Sequence, residues 1–197
     1  MKRLLLGLVI SGLFALPALA ALKEGDTAPD FSAQASLAGK EFTFSLKKAL
    51  AKGPVVVYFY PSAYTQGCDT QAHTFAVNSD KFKAAGASII GVSEDSIKRL
   101  NDFSADPSFC AGKFPTASDA DGSIAKSFNV NVFTPPGDRK MKDVRGVEID
   151  HAFADRITFV ITADGKIAST FGGRELSPEK NVEQALATVQ QLSAKKS

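Results

Sequence analysis

Residues 55–68 read Val55-Val56-Val57-Tyr58-Phe59-Tyr60-Pro61-Ser62-Ala63-Tyr64-Thr65-Gln66-Gly67-Cys68. A run of β-branched and aromatic residues from Val55 to Tyr60 fits a central strand covered on both faces. Pro61 ends the strand because it has no N–H to offer a ladder. After a short loop, Ala72, Phe75, Ala76 and Phe82 share one face of a helix from about Gly67 to Ala85, stopped by Gly86. Cys68 therefore sits in the first turn of a helix that leaves a buried strand.

Moving outward, Ala87 to Val92 and Ile157 to Ile161 read as further strands. Ala163-Asp164-Gly165 is a hairpin turn that returns through Lys166 to Phe171. Phe31 to Phe44 holds a second turn at Ala38-Gly39-Lys40. Ile97, Leu100 and Phe103 follow Asp95, which has the chemistry of an N-cap. Ile124, Ala125 and Phe128 follow Asp121-Gly122 as a short helix. Ser177 and Pro178 open the clearest helix, with Val182, Ala185, Leu186, Val189 and Leu192 as its apolar stripe. This alternation, closed by a hairpin and a helix, predicts an α/β domain with a mixed central sheet and helices on both faces. Phe133 to His151 is the least regular stretch, with Pro135-Pro136-Gly137 and a cluster of charges. A loop of that length is either functional or loose, and the sequence leaves both open.

The chain has 197 residues, 44% of them hydrophobic and 22% charged, a globular composition that fits one domain. Lys and Arg total 23 against 21 Asp and Glu, which argues against a polybasic nucleic-acid binder. Two Cys are too few for a disulfide-stapled scaffold. The two His and two Cys show no metal-ligand spacing, so no metal is expected. Lys2 and Arg3 precede an apolar run from Leu4 to Leu16, ended by Pro17 and followed by Ala18 and Ala20. That is a charged, an apolar and a cleavage segment, the three parts of a secretory signal peptide. The reading is a signal peptide over residues 1–20 and one exported domain over 21–197, with no membrane attachment after cleavage.

At Cys68, unpaired backbone N–H groups and the positive end of the helix dipole favour a thiolate, the nucleophilic form of the side chain. Thr65 lies three residues earlier, where its hydroxyl can reach the sulfur or an incoming oxygen. Pro61 can wall the pocket against water. In an exported chain with two Cys, a static structural disulfide between Cys68 and Cys110 is the plain alternative.

Pro61-x-x-x-Thr65-x-x-Cys68 resembles the active-site signature of the peroxiredoxins, and in particular of the peroxiredoxin Q or bacterioferritin comigratory group. The likeness extends to Gly25-Asp26-x-Ala28-Pro29-x-Phe31, Gly91-Val92-Ser93, Phe114-Pro115 with Ser118-Asp119-x-Asp121-Gly122, and Arg156 to Ile161 with Asp164-Gly165-Lys166. It implies a thioredoxin-like fold and a thiol-dependent peroxidase that needs no cofactor. Cys68 would attack the peroxide, with Thr65, the helix N–H groups and Arg156 stabilising the charge that builds on its oxygens. Arg139, Arg145 and Arg174 are weaker candidates for that guanidinium. Many relatives carry a second Cys where this chain has His73, so that mechanism is absent. Cys110 takes the place used by other members and would resolve the sulfenic acid as an intramolecular disulfide.

The resemblance further implies a small peroxide substrate, a dithiol protein reductant, a periplasmic location and a monomer or homodimer. Two alternatives stand beside it. One is a one-Cys peroxidase reduced directly by an external thiol. The other is a non-catalytic module of the same fold, although the missing C-x-x-C argues against thioredoxin-like reductase activity. Tyr60 and Tyr64 are read as packing residues, His73 as a solvated or hydrogen-bonded side chain, and His151 is given no role.

Overall fold

The computed structural model describes residues 20–135, 140–173 and 176–195. The charged and apolar segments of the expected export signal, residues 1–19, lie outside the described residues. In chain order the elements are β1 (Ser32–Leu37), β2 (Lys40–Ser45), α1 (Leu46–Leu50), β3 (Val55–Phe59), α2 (Gln66–Ala84), β4 (Ser88–Ser93), α3 (Ile97–Ala105) and β5 (Thr116–Ser118). They continue as α4 (Ser123–Ser127), β6 (Val132–Phe133), β7 (Met141–Lys142), β8 (Glu148–Ile149), β9 (Phe153–Ala154), β10 (Ile157–Ile161), β11 (Ile167–Gly172) and α5 (Pro178–Ala194). No helix of the described residues is long and apolar enough to cross a membrane.

Seven strands form one mixed sheet in the order β11-β10-β3-β4-β5-β1-β2. The Val-rich run fills its centre as β3, parallel to β4 and antiparallel to β10. Its side chains alternate between two cores, as the period of a strand requires. Val55, Val57 and Phe59 meet Val92, Phe128 and Phe159 on one face, whereas Val56 and Tyr58 meet Phe75, Phe82, Val182 and Val189 on the other. Burying one such side chain stabilises the fold by about 1.5–3 kcal/mol. Helices cover both faces, with α2 and α5 packed together on one of them. Gly91 of β4 is required there, because a Cβ would fall 2.7 Å from the Tyr58 ring.

This topology places the site. β3 ends at Phe59, and the chain turns through Pro61 into α2. β10 runs the other way, with Ile157 paired to Phe59, so Arg156 lies at the same end of the sheet as the Pro61–Cys68 loop. Open α/β sheets collect their ligands at the carboxyl ends of parallel strands, and this crevice is such a place.

Two local expectations change. Asp95 is not an N-cap: Ser96 caps α3, its Oγ accepting from Arg99 N at 3.4 Å. The Asp95 carboxylate is instead turned inward and occupied by the loop between β3 and α2, where it accepts from Ser62 and Ala63. The Phe133–His151 stretch is not a loose loop where it is described. Within it β7 and β8 form a short antiparallel ladder, pairing Met141 with Ile149 and Lys142 with Glu148, and it is bracketed by a second, in which β6 pairs with β9.

Candidate active site

Cys68 occupies the first turn of α2 and is almost wholly buried, at 1% exposure. Its own amide donates to Thr65 O at 2.8 Å, so it is not free to hold a ligand. The free amides of this helix start are those of Gln66 and Gly67, which precede the first intrahelical bond. Thr65 is the N-cap residue, yet its hydroxyl donates to Ser62 O at 2.8 Å and makes no cap bond. With that proton committed, Thr65 Oγ1 keeps its lone pairs for an incoming O–H.

The guanidinium of Arg156 reaches over from the start of β10, and its Nη2 donates to Cys68 Sγ at 3.2 Å. Its Nη1 donates to Gln71 Oε1. Gln71 is fully buried, and its amide nitrogen donates to Asn181 Oδ1 at 3.1 Å and Thr158 Oγ1 at 3.4 Å. Asn181 in turn donates to Phe171 O at 3.4 Å. A relay from β11 through α5 and α2 thus holds the arginine fork against the sulfur. Gly67 permits the approach, since a Cβ there would stand 3.0 Å from Arg156 Nη2. A cleft of about 620 Å³, lined by Gly67, Phe133, Arg156, Ile157, Leu176 and Pro178, opens beside this pair.

The AhpC/TSA family profile matches residues 24–170. The chain belongs to this family. The peroxiredoxin Bcp of Escherichia coli is 32% identical over 161 residues, covering 82% of this chain and 92% of that protein. The chloroplastic peroxiredoxin Q of Sedum lineare is 31% identical over 148 residues, covering 75% and 69%. Among solved structures, peroxidoxin BcpB from Mycobacterium tuberculosis superposes with a TM-score of 0.68 at 30% identity, covering 87% of this chain and 98% of that one. As a peroxiredoxin the chain has the thioredoxin-like fold and is a thiol-dependent peroxidase.

The second thiol of this peroxiredoxin, Cys110, is buried in the turns that follow α3, and both cysteines are free. Burial pushes the Cys110 thiol well above its usual range, and Asp106 and Asp69 add to the effect. Tyr58, whose ring stacks on Phe75 and Tyr60, lies close enough to both thiols to feel their charge. Burial keeps the Tyr58 and Tyr60 phenols neutral, in line with a packing role.

The structure adds groups that the sequence did not reveal. Asp95 accepts from Ala63 N at 2.7 Å, Ser62 Oγ at 2.9 Å and Ser93 Oγ at 2.7 Å, and pairs with Arg99 Nε at 2.8 Å and His151 Nε2 at 2.9 Å. Burial alone would raise its pKa; His151 and the hydrogen bonds outweigh burial and hold it below the ordinary value. Both nitrogens of His151 face acceptors, Asp95 Oδ1 and Ala152 O at 2.7 Å, an arrangement that favours the doubly protonated ring. Burial would lower its pKa, but Asp95 prevails and raises it. Ser62, His151 and Asp95 do not form a hydrolytic triad, because the same His151 Nε2 faces Asp95 and, at 3.4 Å, Ser62 Oγ, while Nδ1 faces Ala152 O and no carboxylate.

Of the other arginines, Arg145 lies on the Tyr64 ring, while Arg139 and Arg174 fall outside the described residues. His73 is exposed, and its Nδ1 meets Ser108 O at 3.1 Å. Gln71 was findable, since it lies one turn after Cys68 on the same helix. Asn181 and His151 carry no local signal.

Proposed function

We propose that Cys68 is the peroxidatic residue, that Arg156 and Thr65 are its catalytic partners and that Cys110 resolves the product. The observation that carries this reading is Arg156 Nη2 at 3.2 Å from Cys68 Sγ. A guanidinium there donates to the sulfur and has further N–H groups for a peroxide oxygen. The thiolate attacks one peroxide oxygen in line, the O–O bond breaks, and the departing oxygen takes a proton to leave as water or an alcohol. Charge builds on both oxygens in that transition state, where fixed donors have their largest effect. Thr65 Oγ1 accepts the peroxide O–H and orients it. Pro61, half-buried at the end of β3, contributes no donor to the pocket.

The product is a sulfenic acid on Cys68. Attack by Cys110 forms the S–S bond as the S–O bond breaks, and the Cys110 proton leaves with the hydroxide as water. A dithiol protein then reduces the disulfide. Substrates are hydrogen peroxide and organic hydroperoxides; the apolar wall of Phe133, Ile157 and Leu176 suits an alkyl tail. The related bacterioferritin comigratory protein of Xanthomonas campestris, at 27% identity and a TM-score of 0.62, is described by its alkyl peroxide reduction activity. The signal-like start of the sequence supports export, with a periplasmic location and an envelope dithiol donor.

Two variants test this. Cys68→Ser abolishes peroxide consumption. Cys110→Ser retains the first oxidation but loses turnover with a protein dithiol donor. Full turnover by Cys110→Ser would mean that an external thiol reduces Cys68 directly.

A further inference from the structure

A second cleft of about 620 Å³ lies where the sheet is open. The β4–β5 ladder begins only at Gly91 and Thr116, because the residue before Thr116 is Pro115, which has no N–H to extend it. Ser88 and Ile89 of β4 therefore have no strand beside them on that side. The opposite wall is β2, at the far edge of the sheet, together with α1, which leads back from it toward β3. Phe42 and Phe44 fall on one face of β2, as residues two apart must. Phe44 is buried in the core, whereas Phe42 keeps 41% of its surface exposed. The turns after α1 and α2 meet at this cleft, where a Cβ on Gly53 would run into the Gly86 carbonyl. This is the end of the sheet where β3 and β4 begin, opposite the end that carries Pro61, Cys68 and Arg156.

Three lysines line this apolar cleft: Lys48 in α1, Lys52 in the turn after it and Lys83 in the last turn of α2. No Asp or Glu lines it. All three lysines are exposed, and none forms an ion pair among the described residues. The remaining polar side chains of the wall are the hydroxyls of Thr43, Ser45 and Ser88. A lysine in a last helical turn complements the helix dipole, but that does not account for three around one cleft. Lysines that guard an edge strand stand on the strand itself, and these stand on helices and a turn. Cations gathered without a counter-charge repel one another, and an anion placed among them removes that repulsion. A small hydrated anion would gain nothing from Phe42, Ile89 and Pro115. The lining therefore fits an anion that carries an apolar tail.

We propose that this cleft binds a free long-chain carboxylate, with its alkyl tail against Phe42, Phe44, Ile89 and Pro115 and its head among Lys48, Lys52 and Lys83. The volume is that of a small-ligand site, and a few polar groups on an apolar wall are what fix such a ligand's orientation. Because the cleft lies at the opposite end of the sheet from Cys68, the carboxylate is a bound ligand and not a substrate in place to react. Tail and head contribute separately. Burying each methylene strengthens binding about fourfold, and each cation adds a smaller share that salt weakens. Binding here needs no redox chemistry at Cys68 or Cys110.

Isothermal titration calorimetry of the reduced protein with octanoate, decanoate and laurate, each below its micelle concentration, tests this. Affinity is expected to rise about fourfold per added methylene until the cleft is full, and to weaken with added salt. Combining Lys48→Gln, Lys52→Gln and Lys83→Gln, all surface changes, weakens laurate binding about tenfold or more and leaves the rate of Cys68 oxidation unchanged. Ser88→Trp, which fills the cleft, abolishes binding. The cleft beside Arg156 is also apolar and cationic, so amide NMR locates the ligand. Shifts at Gly53, Gly86 and Ser88, with none at Gly67 and Cys68, support the site. Shifts at Gly67 and Cys68 instead would place the carboxylate beside Arg156 and overturn the proposal. Equal affinity for dodecyltrimethylammonium or dodecyl maltoside would overturn the recognition of charge. Binding to phosphatidylglycerol vesicles with none to free laurate would make this face a membrane contact and overturn the free ligand. Neither heat nor shifts with laurate would overturn the site outright.

Discussion

Arg156 Nη2 and Cys68 Sγ face each other at 3.2 Å, across the gap between the start of β10 and the first turn of α2. The contact exists because β10 is antiparallel to β3, which brings residue 156 to the end of the sheet where residue 60 turns toward the helix. Removing the fork should therefore act on chemistry far more than on folding. Arg156→Met is expected to slow Cys68 oxidation by hydrogen peroxide about a hundred- to a thousandfold, as loss of an oxyanion donor does. Arg156→Lys restores only part of that rate, since one ammonium cannot face Gln71 and Cys68 together. Stopped-flow measurement of the oxidation step reads both variants.

Gln71 is expected to act through Arg156. Gln71→Leu leaves the Asn181 amide, Thr158 and Arg156 short of partners, and destabilises the fold by about 1–3 kcal/mol in urea unfolding. It also slows Cys68 oxidation, because the arginine loses its second anchor. Gln71→Glu can accept the same bond and keeps most of the rate. Equal loss in both variants would mean that Arg156 does not depend on this anchor.

Asp95 is the centre of the loop's support. Asp95→Ala leaves Arg99 with Asp143 alone, strips His151 of its carboxylate partner and frees the amide of Ala63, so it should cost about 3–5 kcal/mol of stability. Thermal or urea unfolding of the reduced protein measures it.

Stability should fall as pH rises from about 4 to about 7, and further above 6.5 where His151 titrates. Glu94 is pushed from 4.5 up to about 7 by burial, and Asp69 from 3.8 up to about 6 by the same cause. His151 is raised above 6.5 by Asp95 in spite of burial. A group whose folded pKa is raised contributes stability that is complete below its unfolded value and is lost as pH rises through the folded one. All three signs agree across this window. The lowered pKa values of Asp95 and Asp143 bear only on more acid conditions, below about 3.8. Melting temperature against pH shows the slope, and Glu94→Gln with His151→Gln flattens it.

Much of this was legible in the sequence, for identifiable reasons. The Val-rich run fits a doubly covered strand, and Ser177-Pro178 with its apolar stripe reads as a helix start; both elements form as β3 and α5. Thr65, Cys68 and Arg156 were marked by motif, and the fold brings Arg156 and Cys68 together. What escaped was long-range polar pairing. Asp95 looks like a helix cap from its neighbours alone, and only the fold turns it toward Ala63 and His151. The Phe133–His151 stretch read as irregular because its ladders are two residues each, too short to show a period. Its order comes from Asp143 and Arg145, whose partners lie in the active-site loop and α3.

The proposed cycle has Cys68 reduce the peroxide and Cys110 resolve the product. The most direct measurement is mass spectrometry of the reduced protein, quenched within seconds of adding one equivalent of hydrogen peroxide. The expected result is the loss of two hydrogens and a peptide linking Cys68 to Cys110, with an added oxygen on Cys68 in Cys110→Ser. No change at Cys68 on that timescale, with a disulfide forming only slowly in air, would contradict it.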